Sequence, residues 1–127
     1  MRQTLCLDFD GVVHSYVSGW QGARVISDSA MPGVLAFMAR TLQNGWDISI
    51  YSARSGHWGG RRAMRNWLKK EARGMWYPSP SGPGLEEIKF PLFKPPASIL
   101  IDDRALPFVG LWPSEQDLRA FKPWKPA

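Results

Sequence analysis

The sequence predicts an α/β fold, a mostly parallel sheet of about five strands flanked by helices, and three observations carry the prediction. Short apolar, β-prone runs alternate with segments of helical period, an order that implies right-handed crossovers. Three of those runs end in polar residues that such a sheet brings to one edge. The 127 residues are 44% apolar and 21% charged and include seven Trp, which is enough for one core and unlike a disordered chain.

Thr4 to Leu7 is short and apolar, ends at Asp8 and Asp10 before Gly11, and reads as strand one. Val12 to Ser29 is mixed, with Gly19, Gly22, Tyr16 and Trp20, which suits a flap better than a helix. A helix is expected from near Pro32, with Ser29 or the residue after it as cap and Gly45 as terminator. Its apolar stripe is Val34, Leu35, Phe37, Met38 and Leu42. Asp47 to Tyr51 is strand two and delivers Ser52, Ala53 and Arg54 at its carboxyl end. Gly56, Gly59 and Gly60 mark a loop before a helix from about Arg61 to Arg73. That helix carries Met64, Trp67, Leu68 and Ala72 on one side and Arg61, Arg62, Arg65, Lys69, Lys70 and Arg73 largely on the other.

Pro78, Pro80, Gly82, Pro83 and Gly84 make a loop, after which Glu87 to Phe90 is expected as a brief third strand. Ser98 to Ile101 is a fourth strand, ending at Asp102 and Asp103, and Ala105 to Val109 a fifth. Ser114 with Asp117 three residues on is a capping box opening a short last helix. Residues 1–121 thus read as one domain, and 122–127 as a Pro- and Lys-rich tail expected to fray.

A lone Cys6 excludes an internal disulfide and reads as a small buried apolar residue. No segment nears the roughly 20 apolar residues of a membrane span, and no secretory apolar region precedes Asp8, so a cytoplasmic location with no membrane partner is expected. The formal charge of +5 favours anionic partners.

The chemistry lies where strand ends converge. Asp8 and Asp10, Ser52, and Asp102 and Asp103 fall at one sheet edge. Either acidic pair alone suits a turn or a cap, but both with Ser52 between them point to a site. Carboxylates about 4 Å apart repel by roughly 4 kcal/mol at an effective dielectric of about 20, so the group calls for a cation. Oxygen-only ligands favour Mg²⁺ before Ca²⁺ or Mn²⁺.

Leu5-Cys6-Leu7-Asp8-Phe9-Asp10-Gly11-Val12 resembles the first motif of the haloacid dehalogenase superfamily, Ile50-Tyr51-Ser52-Ala53-Arg54 its second and Ile99-Leu100-Ile101-Asp102-Asp103-Arg104-Ala105 its fourth. The third motif is a Lys, for which Lys94 in Lys-Pro-Pro-Ala-Ser matches best and Lys89 competes. The resemblance implies a Rossmann-like sheet and an Mg²⁺-dependent phosphomonoester hydrolase working through an aspartyl-phosphate. Asp8 is then the nucleophile and Asp10 the general acid and base, a role typically worth about 10²–10⁴-fold. Mg²⁺ is expected on Asp8, the Asp10 carbonyl and Asp102, with Asp103 behind them or acting through water. Ser52 and Lys94 hold phosphate oxygens together with backbone N–H groups near Phe9, Asp10 and Ala53, Arg54 adds a contact, and Gly11 allows the tight turn.

Only 41 residues separate Asp10 from Ser52, and 41 separate Ser52 from Lys94, which leaves no room for the cap domain of most members. Water exclusion then falls to the flap, a partner subunit or a large substrate. Capless relatives often act on phosphorylated macromolecules. Setting aside Asp8, Asp10, Asp102 and Asp103 leaves seven of the 11 acidic residues against 16 Lys and Arg, so a nucleotide or a polynucleotide end is the leading substrate. The alternatives are a phosphatase or phosphotransferase for a small sugar or nucleotide, and a catalytically silent module binding nucleic acid on its basic helix. His14 and His57 either touch substrate or are ordinary loop residues, Arg104 pairs with nearby carboxylates, and Trp20 and Trp58 stack on a base if they are not core.

Overall fold

A computed structural model describes residues 2–125. Three parallel strands, β1 (Thr4–Leu7), β2 (Asp47–Ile50) and β3 (Ile99–Ile101), form one sheet in the order β2-β1-β3. Leu7 lies beside Ile50 on one flank and Ile101 on the other, so the carboxyl ends of all three strands reach the same edge in register. The helices are α1 (Val34–Gln43), α2 (Gly60–Glu71) and a short α3 (Glu115–Ala120), with 3₁₀ turns at Ala53–Gly56 and Leu85–Glu87.

The expected sheet of about five strands is corrected to three. Glu87 to Phe90 touches β2 at one bridge only, where Lys89 accepts from the Ile50 N–H at 2.8 Å and donates to Ile48 O at 3.0 Å. A 3₁₀ turn before it and Pro91 after it leave no length for a ladder. Ala105 to Val109 forms no strand, since Pro107 in its middle has no N–H to give, and Leu106, Phe108 and Val109 stay exposed. β3 is consequently an open edge, and its Ile99, Leu100 and Ile101 are 51%, 43% and 39% exposed.

The central strand is buried through Leu5, Cys6 and Leu7, as a parallel strand covered on both faces should be. Met38 and Leu42 of α1 and Met64 and Leu68 of α2 join Ile48, Ile50, Phe9 and Leu85 in one apolar cluster. α1 begins later than the sequence suggests: Gly33, at φ 82°, is its N-cap in place of Ser29 or its neighbour, and Asn44 and left-handed Gly45 end it. α2 likewise runs from Gly60, not Arg61, and stops two residues before Arg73. Ser114 and Asp117 make both bonds of the capping box, each 3.1 Å, yet α3 has no buried residue. The segment after β1 is the expected irregular flap, pinned by bridges of His14 to Asp10 and Ala30. The described part of the tail is less free than expected, because the Trp124 N–H donates to Asp103 O at 3.3 Å; 126–127 lie outside the described residues. Among the described residues no helix is long and apolar enough to cross a membrane.

Candidate active site

β1 and β3 deliver three carboxylates to one point. The Asp8 N–H donates to Ile101 O at 2.9 Å, which extends the β1–β3 pairing one residue and sets Asp8 beside Asp102. Oxygens of Asp8, Asp102 and Asp103 all lie within 4.8 Å of one another. Asp102 accepts the Arg104 N–H at 2.8 Å, a turn that fixes its direction, while Arg104 makes no ion pair among the described residues. Asp103 Oδ1 is buried with no hydrogen-bond partner. Burial, the charge of Asp102 and the neighbouring carboxyl of Asp103 push Asp8 up to about 7, only partly offset by the backbone of Phe9. An orphaned carboxylate oxygen beside two more acids, one of them reluctant to ionise, is a group that could hold a metal ion.

Gly11 makes this approach feasible. Its φ is +86°, and a Cβ there would collide with Asp103 Oδ2, so glycine is needed both for the turn and for the closeness of the acid.

Asp10, expected at the metal and in acid–base work, has its side chain turned elsewhere. It accepts from Arg54 Nε at 2.9 Å and from His14 Nδ1 at 2.9 Å, and it is absent from the carboxylate trio. Burial raises its pKa, but the hydrogen bonds from His14 and Arg54 and the charge of Arg54 outweigh this and hold it below the ordinary carboxylate value. His14 Nε2 accepts the Asp28 N–H at 3.1 Å, which leaves the ring proton on Nδ1, facing Asp10. The Asp10 carbonyl accepts no backbone hydrogen bond among the described residues and is free for a ligand.

Arg54, expected to contact phosphate, is placed by the structure as a buried strut. It is 0% exposed, and its Nη1 donates to the flap carbonyls of Gly22, Ala23 and Val25 at 2.9–3.1 Å. Its guanidinium lies over Trp20, 4.9 Å from the ring centre, and Nη2 makes no hydrogen bond. One side chain therefore ties Asp10 to the flap.

Ser52 reaches the shared edge, but its hydroxyl is used locally. It accepts the Arg54 N–H at 3.0 Å, its own N–H donates to Ser55 Oγ at 3.0 Å, and it contacts Met64 Sδ at 3.6 Å. Ala53 opens the 3₁₀ turn that this cap starts. Phe9 is fully buried, stacked on His14 and edge-on to Trp67. Lys94 and Lys89 are both exposed, and neither is paired with the acidic cluster among the described residues. Lys89 is bridged to β2 on the far side from β3, whereas the charge of Lys94 acts on Cys6 of β1. Burial raises the Cys6 thiol and outweighs that charge, as befits an inert core residue.

Sequence reasoning missed the pairing of His14 with Asp10 and Asp28. It has no periodic signal, because the three meet through an irregular flap; only the spacing of four from Asp10 to His14 hinted at it. A hollow of about 490 Å³ between flap and tail, lined by Gly11, Tyr16, Asp103, Arg104 and Trp124 among others, opens beside the trio. No family model matches the chain, and no curated protein or solved structure shows significant similarity to it.

Proposed function

We propose that the chain is a capless phosphomonoester hydrolase of the haloacid dehalogenase type that uses Mg²⁺. One observation carries the reading: Asp8, Asp102 and Asp103 crowd within 4.8 Å at the carboxyl ends of adjacent parallel strands. Asp8, Asp102, Asp103 and the Asp10 carbonyl would hold the ion, and what Mg²⁺ supplies when bound is neutralisation of the nucleophile and of the phosphoryl charge. Asp8 attacks phosphorus in line, the Asp8 Oδ–P bond forming as the P–O ester bond breaks. The leaving alkoxide takes the proton that Asp10, as general acid, carries into the reaction, and the Nδ1–H of His14, 2.9 Å from Asp10 Oδ1, hydrogen-bonds the carboxylate that results. In the second half Asp10, held anionic by Arg54 and His14, accepts a proton from the water that cleaves the Asp8–phosphoryl bond.

Purified protein with Mg²⁺ and p-nitrophenyl phosphate, then a panel of nucleotides, phosphorylated oligonucleotides and sugar phosphates, tests the reading beside Asp8→Asn. Turnover is expected to fall by about 10³-fold or more in the variant. Equal rates for both proteins across the panel end it.

One feature favours a second reading, a catalytically silent module that holds nucleic acid. The Ser52 hydroxyl and the Arg54 guanidinium, both expected on phosphate, are consumed inside the protein. Salt-dependent oligonucleotide binding that survives Asp8→Asn, without turnover of any substrate, would select it.

A further inference from the structure

Trp58 stands in water at the start of α2, 84% exposed, where an apolar ring of its size gains nothing from the protein core. The Arg24 guanidinium lies over it, 4.9 Å from the ring centre. Gly59 permits that placement, since a Cβ there would come within 2.7 Å of Arg24 Cδ. Three hollows of about 400, 420 and 440 Å³ meet at Trp58, and no carboxylate lines any of them. Arg24, Arg61 and Arg62 supply their charge, and Arg65, Lys69 and Lys70 continue it along the exposed side of α2.

This surface is joined to the candidate site. Trp20 on the flap sits 5.8 Å from the His57 ring and over Arg54, and Arg54 grips Asp10. An exposed ring alternating with guanidinium groups, free of acids, matches a ligand that alternates planar faces with negative charges. A duplex hides its base faces in its own stack, whereas a single strand offers them.

We propose that Trp58, with Arg24, Arg61 and Arg62, is a docking platform for a single-stranded polynucleotide, one base stacking on Trp58 while neighbouring phosphates meet the arginines. This deepens the phosphatase reading and rests on it for one point only, that the strand's terminal phosphate is what reaches Asp8.

The test measures fluorescence anisotropy of a short labelled single strand ending in a phosphate, and of the same sequence as a duplex. Both are titrated with the chain carrying Asp8→Asn, alone and with Trp58→Ala, Trp58→Phe or Arg62→Ala added. p-Nitrophenyl phosphate turnover is measured in parallel on wild type and on Asp8→Asn. The single strand is expected to bind more tightly than the duplex. Trp58→Ala is expected to weaken it by about tenfold or more, Trp58→Phe by less, and Arg62→Ala to lower the salt slope by about 1. Asp8-dependent turnover of p-nitrophenyl phosphate reads the phosphatase site apart from the platform.

Binding that ignores Trp58→Ala, or that is no stronger for the single strand than for the duplex, overturns the platform. If p-nitrophenyl phosphate is turned over in an Asp8-dependent way while that happens, the phosphatase reading survives alone. If no substrate is turned over but Trp58-dependent binding holds, the platform stands and the phosphatase reading falls.

Discussion

Asp102→Asn probes whether the acidic cluster is built around a cation. Asp102 Oδ1 accepts the Arg104 N–H at 2.8 Å, and the Oδ1 of asparagine keeps that bond, so the exchange removes charge and little else. Unit charges as far apart as the 4.8 Å limit of the trio repel by roughly 3.5 kcal/mol at an effective dielectric of about 20, and by roughly 0.9 kcal/mol in bulk water. Solvent at the sheet edge places the relief between these bounds, about 1–3 kcal/mol, in metal-free protein at pH 8 where Asp8 is ionised. For a chain of this length about 1 kcal/mol moves Tm by roughly 4 °C, so the variant should melt about 4–12 °C higher than wild type without metal.

The gain should shrink at pH 5. Asp8, pushed up to about 7 from an ordinary 3.8, keeps its proton in the folded state there while the unfolded chain has lost it. The same difference means that wild-type stability from Asp8 is present below about pH 4 and is lost as pH rises through about 7. Millimolar Mg²⁺ should reverse that loss, raising the wild-type Tm more at pH 8 than at pH 5 and raising that of Asp102→Asn far less. Scanning fluorimetry after EDTA treatment reads all of these. A lower metal-free Tm for Asp102→Asn at pH 8, or a wild-type Tm indifferent to Mg²⁺, Mn²⁺ and Ca²⁺ alike, refutes a cation-built cluster.

Arg54→Met should cost about 3–5 kcal/mol in urea denaturation, because it strands the Asp10 carboxylate and three flap carbonyls; a cost below about 1 kcal/mol would show the strut to be unimportant. Gly11→Ala should destabilise by about 1–3 kcal/mol and abolish the Mg²⁺-induced rise in Tm, since a side chain at φ +86° also displaces Asp103; an unchanged Mg²⁺ response would contradict this. Asp28, held below its ordinary value by the N–H and hydroxyl of Ser18, adds stability above about pH 4 that fades as pH falls through its lowered pKa. Asp28→Asn should therefore flatten the acid limb of a Tm-against-pH curve. Leu68→Ala, at a fully buried α2 position, should cost about 2–5 kcal/mol by equilibrium unfolding.

Local pattern made much of this molecule legible. The apolar runs before Asp8, Ser52 and Asp102 are strands because β-prone residues there are bounded by polar ends, and the stripes of α1 and α2 bury Met38, Leu42, Met64 and Leu68 as helical spacing requires. The extra strands were not legible, because a run such as Glu87 to Phe90 looks β-prone whether or not it has room to pair. Where the side chains of Ser52 and Arg54 turn was not legible for a related cause. A residue type near a motif does not say which way its side chain turns, and a 3₁₀ cap and a flap took both groups.

Sequence alone determined that acidic residues would stand at two strand ends, since strand propensity and chain reversal are short-range properties carried by neighbouring residues. Only the tertiary structure decided which of those acids meet. β3 pairing beside β1 brings Asp102 and Asp103 to Asp8, while the flap folding over Arg54 draws the side chain of Asp10 out of that group. Both choices depend on contacts between residues more than 40 positions apart, which no local pattern encodes.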